Sequence, residues 1–298
     1  EKQRIEQTFN LNDFLNRECL PPSWKPQQYN NKFSIRRYYE SFYLRIEDLI
    51  DYQNHLRPEV FELETSSDGK IYYLLAETGE EILAAKKVLK EKVKSENLKR
   101  IFFVVPSKPL QIRNAAVEIA ALLHMERDNG LTEVDPLVLP EIKQMLDDSR
   151  AHLNRLINKL VMPSQEGGIW CYQGKEFKIQ STRQLETFIS IVTEKNYPLT
   201  PIIRNELIVK KKLTSTLVNS RKKFLLALLE RCGQENLGIT GNFPDAAIMR
   251  TVLVNTGIYH KVKGKNDWSF SKPSSLEDKG LKEVWEHLES FFRDPCEE

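Results

Sequence analysis

The sequence predicts a helix-rich α/β fold: a small parallel βαβα unit, a connector helix and a winged helix-turn-helix domain. Three observations carry this reading. Two continuous apolar runs, Ile71-Tyr72-Tyr73-Leu74-Leu75 and Ile101-Phe102-Phe103-Val104-Val105, alternate with helical stripes, as strands buried on both faces of a parallel sheet do. Residues 136–162 hold one long apolar stripe at helical spacing: Ile142, Met145, Leu146, Leu153, Leu156, Ile157 and Leu160. Residues 201–223 read as two short helices around a tight basic turn, with a Gly-containing hairpin pattern downstream at 258–270.

Taken in order, residues 1–60 form a helical lead segment, broken at Leu20-Pro21-Pro22-Ser23-Trp24-Lys25-Pro26 because proline lacks the amide donor. Ser34 caps a predicted helix to about residue 56, with Tyr38, Phe42, Leu44, Ile46, Leu49 and Ile50 on its apolar side. Residues 61–135 form the βαβα unit. Thr78-Gly79-Glu80-Glu81 has capping-box spacing, and Ile82, Ala85, Leu89 and Val93 stripe the helix it opens. Pro106-Ser107-Lys108-Pro109 stops the second strand, and Ile112, Ala115, Ile119 and Leu122 stripe the next helix. Residues 136–166 are a connector or a two-helix packing arm, ending in a flexible joint at Pro163-Ser164-Gln165-Glu166-Gly167-Gly168. Residues 167–298 form the winged-helix-like domain, expected to fold without the rest. It opens on a hairpin, Ile169-Trp170-Cys171-Tyr172 with Glu176-Phe177-Lys178-Ile179. Helices follow at 182–195, 201–209, 214–232 and 244–256, with Pro244 at a favoured first-turn position. A second hairpin turns at 263–267, and Leu281, Val284, Trp285, Leu288 and Phe292 stripe a final helix.

With 40% hydrophobic and 29% charged residues the chain has ordinary globular composition, and a net charge of +2 makes any basic patch a local feature. No apolar run reaches the length of a membrane span, and no apolar core follows Glu1-Lys2-Gln3-Arg4 as a signal peptide requires. Both chain ends read as cuts in a longer protein. Cys19, Cys171, Cys232 and Cys296 stand far apart with no Cys-x-x-Cys pair, which points to free thiols in a reducing, cytoplasmic setting.

The candidate nucleic-acid contacts are Arg204, Lys210, Lys211, Lys212, Thr214, Ser215, Arg221, Lys222, Lys263 and Lys265. Lys223 adds to the charge, and Glu206 is the single acid within 201–223. Lysine and arginine on phosphates release counterions, and hydroxyls at a helix N-terminus can cap it or touch phosphate. The same residues also fit a solvated turn and an exposed helix face, or a protein-docking surface. No cofactor site is expected: the loops 77–79 and 106–108 lack the glycines of either phosphate-binding fingerprint. Glu62, Glu64, Asp68 and Lys70 are a loose match to a metal nuclease and read as an acidic loop. The five histidines never take ligand spacing, and no Gly-x-Ser-x-Gly elbow is present.

Tyr197-Pro198-Leu199-Thr200-Pro201-Ile202-Ile203-Arg204-Asn205-Glu206-Leu207-Ile208, followed by Lys212-Leu213-Thr214-Ser215, resembles a stretch of large prokaryotic P-loop ATPases. These are of the kind found in anti-phage defence and restriction gene clusters. Leu237-Gly238-Ile239 with Pro244, and then Thr256-Gly257-Ile258-Tyr259, are similar to the same proteins. The resemblance implies a non-motor portion that couples nucleotide state to a partner or to DNA beside a flanking ATPase domain. No catalytic residue carries over, because the Walker loop, the acidic metal ligand and the sensor arginine of that family are not in this sequence. Two other readings stand beside it: a protein-interaction scaffold without nucleic-acid contact, and a stand-alone enzyme with an unrecognised site. An exposed apolar patch would favour the scaffold, and a deep pocket with convergent acids would favour the enzyme.

Overall fold

A computed structural model describes residues 9–53, 67–92, 98–127, 138–205, 207 and 212–293 of the 298. The expectations placed on Glu62, Glu64, Val93, Glu206, Ile208, Lys210, Lys211 and Cys296 lie outside the described residues. The chain divides into two units: Glu1–Pro26 with Arg37–Val192, and Gln27–Arg36 with Thr193–Glu298.

The first unit is built on a five-stranded sheet. Its strands are β1 (Tyr39–Arg45), β2 (Gly69–Leu75), β3 (Ile101–Val105), β4 (Ile169–Tyr172) and β5 (Lys175–Phe177), in that spatial order. β1, β2 and β3 run parallel, whereas β4 and β5 add antiparallel. Its helices are α1 (Leu11–Glu18), α3 (Ile46–Gln53), α4 (Gly79–Lys92), α5 (Ile112–Arg127), α6 (Val138–Val161) and most of α7 (Thr182–Asn196); α2 (Gln27–Phe33) belongs to the other unit.

Side-chain alternation splits the apolar runs between two cores. Ile71, Tyr73, Phe102, Val104 and Trp170 face α1, α5, α6 and α7. Tyr72, Leu74, Phe103, Val105 and Cys171 face α3 and α4. Helices on both faces explain why β2 and β3 read as continuous hydrophobic runs. The capping box forms as expected: the Glu81 backbone N–H donates to Thr78 Oγ1 at 3.2 Å, and the Thr78 N–H donates to Glu81 Oε2 at 3.3 Å.

Three expectations are corrected here. The predicted helix from Ser34 to about residue 56 is instead strand β1 followed by α3. The apolar positions fit a helical stripe, but Tyr39 and Tyr43 also alternate with Phe42 and Leu44, and the open edge of β2 offers a full ladder of backbone partners. The Pro-rich break holds this edge. Trp24 bridges Tyr39 through two backbone hydrogen bonds, and Trp24 Nε1 donates to Tyr73 Oη at 2.8 Å. Second, of the two readings of 136–162, α6 is the packing arm and not a free connector: Ile142, Leu146, Leu153, Ile157 and Leu160 are buried in the main core beside α5. Third, the 169–177 hairpin extends the sheet of the first unit, and the units divide inside α7 at Val192 and Thr193, not at Gly167-Gly168. Gly168 serves close packing there. A Cβ on it would collide with Val104 Cγ1 and lie 2.9 Å from the Leu160 carbonyl.

The second unit contains α2, α8 (Ser215–Glu230), α9 (Pro244–Met249), the ribbon β6 (Tyr259–Lys261) with β7 (Trp268–Phe270), and α10 (Lys279–Arg293). Arg250–Val254 continues α9 as a π turn. Its core is Ala227, Leu237, Met249, Leu253, Ile258, Tyr259, Leu276 and Leu281, with Trp268, Phe270 and Trp285 packed against it. Tyr29 of α2 joins by donating to Thr200 Oγ1 at 2.6 Å. Among the described residues no helix is long and apolar enough to cross a membrane.

Candidate nucleic-acid interface

Of the first helix predicted for the helix-turn-helix, 201–209, the described residues 201–205 have no helical structure. Asn205 supplies the reason. It is buried, its Nδ2 donates to Thr251 Oγ1 at 2.6 Å, and its Oδ1 accepts the Leu207 N–H at 2.9 Å. A short amide side chain that bonds the backbone two residues on competes with the helical ladder, and the β-branched pair Ile202-Ile203 opposes it weakly. Arg204 is exposed on this extended segment, and Lys212 is exposed at the bend before α8.

Thr214 caps α8 by accepting the Leu217 N–H at 3.3 Å, and Ser215 is the first residue of the helix. Both are exposed, as are Arg221 and Lys222 about two turns further along. α8 buries Leu217, Ser220 and Ala227 on one side. Val218, Leu225, Leu226 and Leu229 are exposed on the other. The basic residues of α8 therefore sit within an apolar surface, which their sequence neighbours did not announce.

Lys263 and Lys265 lie at the tip of the β6–β7 ribbon, and Lys261 precedes them at the end of β6; all three are exposed. Period-two spacing of the three lysines was the signal for Lys261, which sequence reasoning left out of the set. The turn closes with the Val262 N–H donating to the Asp267 carbonyl at 2.9 Å and the Lys265 N–H to the Val262 carbonyl at 3.1 Å. The base of the ribbon is rigid. Tyr259 is buried, stacks on Trp268 at 5.5 Å, donates to the Gln234 carbonyl at 2.7 Å and accepts the Gly233 N–H at 3.0 Å. Burial raises the pKa of its phenol. Lys263, Lys265 and Lys261 thus share one small element, Arg221 and Lys222 share another, and Arg204 stands on a third.

The loops after the parallel strands already carry anions of their own. The Glu77 carboxylate accepts the Arg113 N–H at the start of α5 at 2.7 Å, and Glu81 accepts the Glu77 N–H at 2.7 Å at the start of α4. A phosphate would compete with both carboxylates for these donors. Asp68 is bound to Arg37 and accepts the Tyr38 N–H at 2.9 Å, while the buried Lys70 lies over the Phe42 ring, so the described half of the loose acidic group has structural roles. Among the described residues no group of His, Cys, Asp or Glu could hold a metal ion. Cys19, Cys171 and Cys232 are free thiols. No protein-family model, curated protein or solved structure matches the chain, so the interface rests on its own geometry.

Proposed function

We propose that this chain is a recognition and regulatory region of a larger ATPase, working in the cytoplasm, and that it contacts nucleic acid through a winged-helix arrangement. The order α8, α9 and then the ribbon β6–β7 supports that arrangement, with the ribbon as the wing and α8 with α9 as the helix pair in place of the expected 201–209 and 214–232. The observation that carries the reading is the ribbon tip: Lys261, Lys263 and Lys265 stand exposed on an element whose base is clamped by buried Tyr259. A clamped base with three exposed ammonium groups presents charge to a phosphate backbone and supplies no base-reading geometry, so binding is sequence-tolerant and salt-sensitive. The resemblance of residues 197–215 and 237–259 to defence-associated P-loop ATPases supports the flanking motor.

Fluorescence anisotropy with labelled duplex and single-stranded DNA tests this. For three phosphate contacts on duplex DNA, log K falls against log salt with a slope of about −2.7. The Lys263→Glu/Lys265→Glu chain loses at least about ten-fold in affinity, and its slope shrinks by about 1.8 units. Absence of binding at low salt to either form overturns the proposal.

A further inference from the structure

α8 is apolar on two opposite sides. Leu217 and Ala227 are buried on one, whereas Val218, Leu225, Leu226 and Leu229 are 36%, 49%, 53% and 82% exposed on the other. At 3.6 residues per turn these four fall within an arc of about 100°, the width of a normal helix-packing face. Lys222 lies inside the same arc, Arg221 about 40° beyond one edge and Lys223 about 60° beyond the other, with Glu230 between Lys223 and that edge. No described carboxylate pairs with any of the three cations. The face is therefore an apolar stripe with one lysine inside it and a net positive border, three cations against the single acid Glu230.

We propose that this face of α8 docks an acidic amphipathic helix of a partner protein. Four large side chains on an exposed stripe gain free energy only when another apolar stripe covers them. Lys222 within the stripe, with Arg221 and Lys223 beside it, selects a partner whose stripe carries Glu or Asp. Phosphate backbone would satisfy the cations and leave the leucines facing a polyanion. A second copy of the chain would satisfy the leucines and bring six like charges to one seam, with only Glu230 on each helix to offset them. α8 is about 24 Å long, so a partner helix of four turns spans it.

The test uses the whole chain and a labelled 18-residue helical probe with Leu at i, i+3, i+4 and i+7 spacing and Glu on both flanks, together with a charge-swapped probe carrying Lys in place of Glu. We expect saturable anisotropy with the acidic probe and at least ten-fold weaker binding of the basic one. Leu225→Ala/Leu229→Ala weakens the acidic probe at least ten-fold, and circular dichroism of this surface variant stays that of the parent. Arg221→Glu/Lys222→Glu/Lys223→Glu reverses the preference between the two probes. The proposal is overturned by no binding of the acidic probe, by equal binding of both probes, or by an unchanged affinity in the leucine variant. It is also overturned if sedimentation shows a dimer that the leucine variant dissolves, or if duplex DNA displaces the probe while the leucine variant binds DNA like the parent. The ribbon variant Lys263→Glu/Lys265→Glu leaves probe binding unchanged, so failure of this docking and failure of nucleic-acid contact are read separately.

Discussion

Asn205 shows how one side chain decides local structure. Its amide donates to the Ala247 carbonyl of α9 and to Thr251 Oγ1 of the π turn, and its oxygen accepts the Leu207 N–H, so residues 201–205 do not take the helix that the sequence predicts there. Asn205→Ala leaves the Leu207 N–H without this partner inside a buried site, and we expect a loss of about 1–3 kcal/mol in urea unfolding. Asn205→Asp should be no better, because it places a charge where only a neutral amide is satisfied. Cys171 makes a second residue-scale prediction. Burial, and then Glu176, push its thiol up to about 12. The folded chain thus keeps a proton that the unfolded chain releases near pH 8.5. Its contribution is complete below that pH and declines as pH rises towards 12. Unfolding midpoints measured across this range should fall, and Cys171→Ala should reduce the part of the slope that begins first, the rest of which comes from Cys19, whose thiol burial also pushes up. Buried Tyr43 and Tyr73, whose hydroxyls are also pushed up by burial, maintain the part that begins near pH 10. Residue-specific thiol labelling should modify exposed Cys232 quickly and Cys171 only on unfolding.

Elements were legible wherever the pattern was local. Thr78 and Glu81 announce the start of α4 because both partners of the box lie three residues apart. β2 and β3 are legible from length and apolar continuity. β1 is not: its apolar residues satisfy both periods, and only the neighbouring strand selects one. Gly168 was read as freedom and is instead a close contact with β3. Gly168→Val should separate β4 from α6 and lower the thermal midpoint by several degrees, whereas a joint valued for flexibility would tolerate it. The helix starts above β2 and β3 carry a sharper expectation. Glu77 and Glu81 hold the amides that a nucleotide phosphate would need, so calorimetry with magnesium and ATP should give no heat of binding. A micromolar site on this chain would overturn that reading.

At the scale of the molecule, the two units draw on segments far apart in sequence. Gln27–Arg36 lies with Thr193–Glu298, and the hairpin at 169–177 lies with the N-terminal sheet. A fragment of residues 169–298, expected from sequence to fold alone, carries Trp170, Leu185 and Ile189 out of the core in which they are at most 1% exposed. We expect it to aggregate. Residues 1–192 retain the whole sheet and should show a cooperative thermal transition by circular dichroism, and residues 1–166, which lack β4, β5 and α7, should not. Equal cooperativity of the two truncations would place the boundary back at the glycine pair.

Composition and periodicity alone establish the α/β class, the two buried strands, α4 to α6, the capped start of α8, and the ribbon with Lys263 and Lys265, since each leaves its pattern within a few residues of sequence. Packing over longer separations decided the rest. Whether 39–45 is helix or strand depends on the open edge of β2, whether α6 connects or is buried depends on α5, and whether 201–205 coils depends on Thr251, reached through Asn205. The exposed leucines of α8 belong to the same class. Burial of the opposite side against α9 and the 3₁₀ turn at Glu235–Gly238 determines which apolar stripe is left for a partner, and a helix that is apolar on both sides does not say in sequence which one that is.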